Sequence, residues 1–184
     1  LGRDCASRPG SQVHDPIRLD ARLAYAVMGV QAMKAVEIGL GRDCASRPGS
    51  QVHDPIRFDP AQTNSHTLGF TRDTNNAGGT EGGITNGQPV VVKATMKPIS
   101  TLLRGLPSVD LNTKQPDMSQ YERSDICAVS AASVVVENVV AFEIARAISE
   151  KFPSDSMPEL RTAFENYLKL ARTLPLEPPS MTLA

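Results

Sequence analysis

Residues 75–101 read NNAGGTEGGITNGQPVVVKATMKPIST, a glycine-rich stretch that runs directly into an alternating strand and then into a lysine, a proline and two hydroxyls. From Val90 to Lys97 the alternation is regular: Val90, Val92, Ala94 and Met96 point one way, while Val91, Lys93, Thr95 and Lys97 point the other. Pro98 stops the strand, because it has no N–H to donate to a ladder. Lys97 therefore sits at a strand terminus with Ser100 and Thr101 just beyond it, where loop-borne binding groups gather. Gly78, Gly79, Gly82, Gly83 and Gly87 tolerate positive φ and would let backbone N–H groups approach an anion. Their spacing fits neither a dinucleotide fingerprint nor a P-loop, and on the glycines alone a flexible hairpin loop is the favoured reading.

Working outward, two further strands are expected at Ser108 to Leu111 and at Met118 to Arg123, joined by the turn-rich segment from Asn112 to Asp117. That pattern makes the sheet antiparallel. Upstream, Asp20 can cap a helix in which Leu23, Val27, Val30 and Met33 fall at helical spacing, ending near Lys34. Val36 and Ile38 flank Glu37 in a short strand before Gly39. Residues 40–75, with Pro48, Pro55 and Pro60, read as loop and hairpin. Downstream, a helix over Ala128 to Lys151 is apolar around most of its circumference, which predicts burial between layers. Pro158 opens a third, amphipathic helix with Leu160, Ala163, Phe164, Tyr167, Leu168 and Ala171 on one face. The expected class is α+β, with an antiparallel sheet packed against long buried helices.

Residues 1–18, LGRDCASRPGSQVHDPIR, recur unchanged as residues 40–57. Identity without drift points to a recent duplication or a joining error in the gene sequence, not to a solenoid, since nothing else repeats. The expected organisation is a redundant, loose extension at 1–18, a structured region at 19–172 and a flexible tail at 173–184.

The chain has 184 residues with 19 basic and 20 acidic side chains, so no global field draws it to nucleic acid or to an anionic membrane. Any anion must be held locally. Aromatic residues make up 4% with no tryptophan, which argues against a base-stacking platform. Cys5, Cys44 and Cys127 form no C-x-x-C pair, so neither a disulfide framework nor a metal site is expected. No signal-peptide pattern follows Leu1, and a fragment of a cytoplasmic protein is expected. Glu137, Asn138, Glu143 and Arg146 interrupt the longest apolar run, Ile126 to Ile148, and exclude it as a membrane span.

Lys97, Arg104 and Arg123 are the cations expected to aim at a phosphate, with Ser100 and Thr101 as neutral donors. Each taken singly is more often a solvated surface charge, and the signal lies in the cluster. Asp125, just before the long helix, is either a structural cap or a carboxylate held ionised by the helix dipole. His53 beside Asp54 is a weak acid–base pair, because neighbours on a turn need not face each other. His14 repeats it, and His66 lies in a polar loop.

Together these motifs resemble chorismate synthase. The similarity is carried by LDARLAYAVMGVQAMKAVEIG at 19–39, GSQVHD at 49–54, TNNAGGTEGGITNGQPVVV at 74–92, MKPIST at 96–101 and RSDICAV at 123–129. MKPIST and RSD are most similar to the actinobacterial branch. The resemblance implies a cytoplasmic lyase of the shikimate pathway that serves aromatic amino acid biosynthesis. It would convert 5-enolpyruvylshikimate-3-phosphate to chorismate and phosphate by 1,4-anti elimination, with reduced FMN required.

It further implies FMN contacts at Gln31, Ala32, Gly82, Lys97, Pro98, Ile99, Ser100, Thr101 and Arg123, with Asp125 handling a proton near flavin N5. The implied fold has two similar halves in a homotetramer, of which this chain matches the C-terminal one. The G-E-S-H-G motif, a further catalytic histidine, and the arginines for substrate phosphate and, in bifunctional relatives, NADPH have no counterpart in it, so the fragment is expected to be inactive alone. Leu40 and Arg42 replace an acidic residue and an aromatic of the family pattern, and Ser130 replaces a proline. The alternative reading is a noncatalytic module or remnant whose exposed sheet and helix faces mediate self-association.

Overall fold

The computed structural model describes residues 18–102, 104–120 and 127–173. Helix α1 spans Leu19–Met28 and is followed by strand β1, Met33–Ile38. Short strands β2 (Ile56–Phe58), β3 (Phe70–Arg72), β4 (Thr80–Glu81) and β5 (Ile84–Thr85) precede β6, Val92–Met96. β7 (Pro107–Val109) and β8 (Pro116–Met118) then lead to the long helix α2, Val129–Lys151, and to α3, Met157–Ala171. Among the described residues every pairing is antiparallel, as expected. Their strands nevertheless form four separate two-stranded ladders, β1 with β6, β2 with β3, β4 with β5 and β7 with β8, instead of one sheet.

α1 ends six residues earlier than its periodicity predicts. Gly29 terminates it, and Ala32 adopts a φ of 67°, a left-handed conformation that no helix can continue through. Met33 consequently opens β1 and is not the last helical contact. Asp20 lies in the first turn and not at the cap, which Arg18 occupies; its carboxylate is paired with the Arg18 guanidinium at 2.8 Å. β7 stops at Val109 because the Asp110 carboxylate accepts hydrogen bonds from the backbone of Asn112 and Thr113, folding the chain back. β8 correspondingly lies at Pro116–Met118, earlier than the expected strand, whose last three residues fall outside the described ones. The expected extension and tail lie outside them too, apart from Arg18 and Thr173.

The core lies where α1 and α2 cross the β1–β6 ladder. Leu19, Leu23 and Ala147 form its centre, with Ile38, Val90, Val92, Val140 and Ile144 packed around them. In the ladder, Ile38 pairs with Val92, Val36 with Ala94 and Met33 with Met96; the register shift between Met33 and Ala35 keeps Met33 and Val36 on the same face despite an odd spacing. Arg22 ties the helices together, reaching Glu143 at 3.3 Å and Glu150 at 2.6 Å on α2. α2 itself departs from expectation. Only Ala147 is buried along it, and Phe142 is 69% exposed and Val134 57%. A single layer of ladder and helix covers one face of α2 and leaves its other apolar faces in solvent.

α3 is capped by Ser156, whose hydroxyl accepts from the Glu159 N–H, while the Glu159 carboxylate accepts from the Asp155 N–H. Phe164 and Tyr167 lie edge-on to Phe152, with the Lys151 ammonium 3.9 Å from the Tyr167 ring centre. No helix among the described residues is long and apolar enough to cross a membrane.

Candidate functional site

The antiparallel pairing of β1 with β6 has a direct consequence at one end of the ladder. Ala32 precedes β1 and Lys97 follows β6, so the two meet, and the Lys97 N–H donates to the Ala32 carbonyl at 2.7 Å. Gln31 and Ala32 thereby come beside Lys97 and Pro98, although Ala32 and Lys97 are 65 positions apart in the chain. Lys97, Pro98 and Ser100 are exposed, while Ile99 and Thr101 are half-buried. The start of α2 lies at the same end, because Val129 and Ala132 line an apolar groove of about 350 Å³ together with Met33 and Met96. Arg104 is exposed further along the loop. Arg123 and Asp125 lie outside the described residues.

The glycine-rich stretch is elsewhere. Its Gly78 packs against Gly39 at the opposite end of β1, where the Gly39 N–H donates to Val91 and the Leu40 N–H to Asn76. A Cβ on Gly78 would stand 2.3 Å from the Gly39 nitrogen, and one on Gly39 would stand 2.1 Å from the Asn76 oxygen. These glycines permit two backbones to cross; they do not open a concave loop toward the Lys97 strand end. Gly82 differs, since it caps the β4–β5 hairpin at a φ of 60° with nothing within 4 Å of where a Cβ would stand. The Gly83 carbonyl accepts from the Leu19 N–H, so Gly82 sits by the start of α1, a ten-residue helix about 15 Å long, whereas Ala32 follows its other end.

Asp54 works structurally and not as a partner of His53. Its carboxylate accepts from the Thr74 hydroxyl at 2.5 Å and from the backbone N–H groups of Asn76 at 2.7 Å and Ala77 at 2.9 Å. Burial opposes its charge, but the hydrogen bonds from Thr74, Ala77 and Asn76, with the nearby Arg72 charge, outweigh it and hold the pKa low. His66 is exposed and its Nε2 lies 3.2 Å from the Gly87 carbonyl. Among the described residues, no three His, Cys, Asp or Glu side chains are grouped to hold a metal.

Arg72 escaped the sequence reading. Its guanidinium reaches the Glu81 carboxylate at 2.6 Å and the Asn86 carbonyl at 3.2 Å, and the Asn86 amide donates to the same Glu81 oxygen at 2.8 Å. No periodicity announces such a triangle, because its members come from separate strands and a loop.

Antiparallel ladders backed by a short and a long helix, with a lysine and two hydroxyl residues just beyond one strand end, define an α+β protein. Comparison with known proteins makes the class specific: the family model for chorismate synthase matches residues 3–149, a span that begins inside the first copy of the repeat. The chain belongs to the chorismate synthase family. It is 56% identical over 165 residues to a chorismate synthase of Geobacter metallireducens, covering 89% of this chain and 42% of that relative. A Geobacter sulfurreducens chorismate synthase is 57% identical over 164 residues with the same coverage. A crystal structure of a chorismate synthase superposes with a TM-score of 0.64 at 41% identity, covering 84% of this chain and 37% of the other. The chain thus spans about two fifths of the length of the relatives it matches.

Proposed function

We propose that this chain supplies the flavin-binding part of a chorismate synthase, which converts 5-enolpyruvylshikimate-3-phosphate to chorismate. The reaction is a 1,4-anti elimination in which a ring hydrogen leaves as a proton and the C–O bond to phosphate breaks, without net redox change. The observation that carries the reading is the meeting of Ala32, Lys97 and the start of α2 at one end of the β1–β6 ladder.

The donor set there suits FMN. An exposed ammonium at Lys97, the Ser100 hydroxyl and the backbone of two turns match a ligand that carries a phosphate and an amide-bearing ring. Gln31, Ala32, Lys97, Pro98, Ile99, Ser100 and Thr101 would hold it, with Arg123 as a second cation and Gly82 as a contact from the far end of α1. Reduced FMN supplies electron density to the elimination when bound. The protein's own share is orientation and charge: Lys97 and Arg123 balance the anionic ligand, and Asp125, four residues before Val129, holds or moves a proton near flavin N5. The substrate phosphate and NADPH arginines would come from the part of the enzyme that this chain does not span, so the fragment is inactive by itself.

The test is flavin fluorescence titration of this chain co-assembled with the part of the Geobacter sulfurreducens relative that it does not span. Lys97→Ala and Arg123→Ala are each expected to weaken FMN binding by about tenfold, the loss of one charge-assisted contact. Wild-type affinity in both variants would overturn the assignment.

A second reading is favoured by the exposed apolar side of α2: a noncatalytic remnant that self-associates through that helix.

A further inference from the structure

The β4–β5 hairpin is held from three directions. At its base the Asn86 N–H donates to the Gly79 carbonyl at 3.0 Å; at its tip the Gly83 carbonyl accepts from Leu19 at 2.9 Å. From the side, the Arg72 fork clamps both strands at once, through Glu81 at the end of β4 and the Asn86 carbonyl just after β5. The Arg72 side chain is only 11% exposed, and its Nε is buried without a hydrogen-bond partner. A guanidinium kept there with one donor unmet is ill suited to serve as a solvated surface charge. What the clamp fixes is the two-residue tip, and Gly82 is the tip residue that faces open space.

We propose that Arg72 is a positioning residue, setting the β4–β5 hairpin so that the Gly82 backbone meets the flavin cofactor. This rests on the reading of Gly82 as a cofactor contact. In this role Arg72 acts through Glu81 and Asn86, because a two-residue strand on either side of the tip is too short to hold the tip's position without a cross-brace.

The experiment is FMN titration of the same co-assembled protein carrying Arg72→Gln, Arg57→Gln, Lys97→Ala, or the exchange R72E/E81R. Arg57 is the control, since its exposed pair with Asp73 at 2.7 Å braces the neighbouring β2–β3 hairpin without touching β4 or β5. Arg72→Gln is expected to weaken FMN binding by about tenfold, the exchange to recover most of that loss, and Arg57→Gln to stay within about twofold. Loss in Lys97→Ala with none in Arg72→Gln overturns the positioning role and leaves the flavin reading standing. Unchanged affinity in Lys97→Ala overturns the flavin reading itself. Equal losses in Arg72→Gln and Arg57→Gln, or no recovery in the exchange, reduce Arg72 to general stabilisation and also overturn the role. Amide hydrogen exchange on this chain alone gives an independent reading: Arg72→Gln should speed exchange over residues 81–86 and not in β1 or β6, and unchanged exchange at the hairpin would sink the proposal.

Discussion

At the scale of single residues, the glycines separate into two jobs that share one conformation. Gly78 and Gly82 both have positive φ, at 65° and 60°, yet only Gly78 is pressed against another backbone. A methyl group at 78 must displace the Gly39 main chain and so meets both strain and overlap, whereas at 82 it meets strain alone. Gly78→Ala is therefore expected to cost about 3 kcal/mol and Gly82→Ala about 1 kcal/mol, measured by urea unfolding. Equal costs would mean that the crossing at Gly39 relaxes freely. The same contrast shows that composition reveals where positive φ is needed, not what lies opposite.

At the scale of elements, α2 carries the conflict between pattern and surroundings. Its hydrophobic residues are spread around the helix, and Val134, Val135 and Val139 give it little intrinsic helical preference, so packing must support it. One side receives that support from Leu19, Leu23 and the β1–β6 ladder. The other presents Val134, Val135, Phe142 and Ile148 to solvent. Exposed apolar area of this kind drives association. Light scattering of this chain should show oligomers that grow with concentration and that Phe142→Glu diminishes. If the oligomers form identically with and without FMN, and Lys97→Ala leaves flavin binding intact, the remnant reading gains over the catalytic one. A strictly monomeric chain would remove the basis for that second reading.

At the scale of the whole molecule, stability depends on carboxylates held ionised across several elements. The Arg18 guanidinium lowers the pKa of Asp20, and the Arg22 guanidinium lowers that of Glu150; at Asp54 burial acts the other way and is overcome by hydrogen bonds from Thr74, Ala77 and Asn76. Each folded-state pKa lies below its unfolded value, so the stabilisation is complete above the ordinary carboxylate range of about 4 and is lost as pH falls through the lower folded values. Thermal melts followed by circular dichroism should show a flat midpoint between about pH 5 and 7 and a decline below about pH 4. A decline that begins near neutrality would show that these pairs do not govern the acid limb.

The sequence by itself determined the α+β class, the alternating face of β6, the three α-helices found among the described residues and the family, because each rests on local periodicity or on contiguous motifs. Tertiary structure decided where the pieces meet. Antiparallel pairing carried Ala32 to Lys97 and moved the glycine-rich stretch to the other end of β1, and contact between two separate ladders set Arg72 against Glu81 and Asn86. It also left much of α2 uncovered, contrary to its all-round apolar pattern. The physical reason is the same in each case. Periodicity reports which side of an element wants burial, whereas the partner that provides it is chosen by contacts between distant parts of the chain.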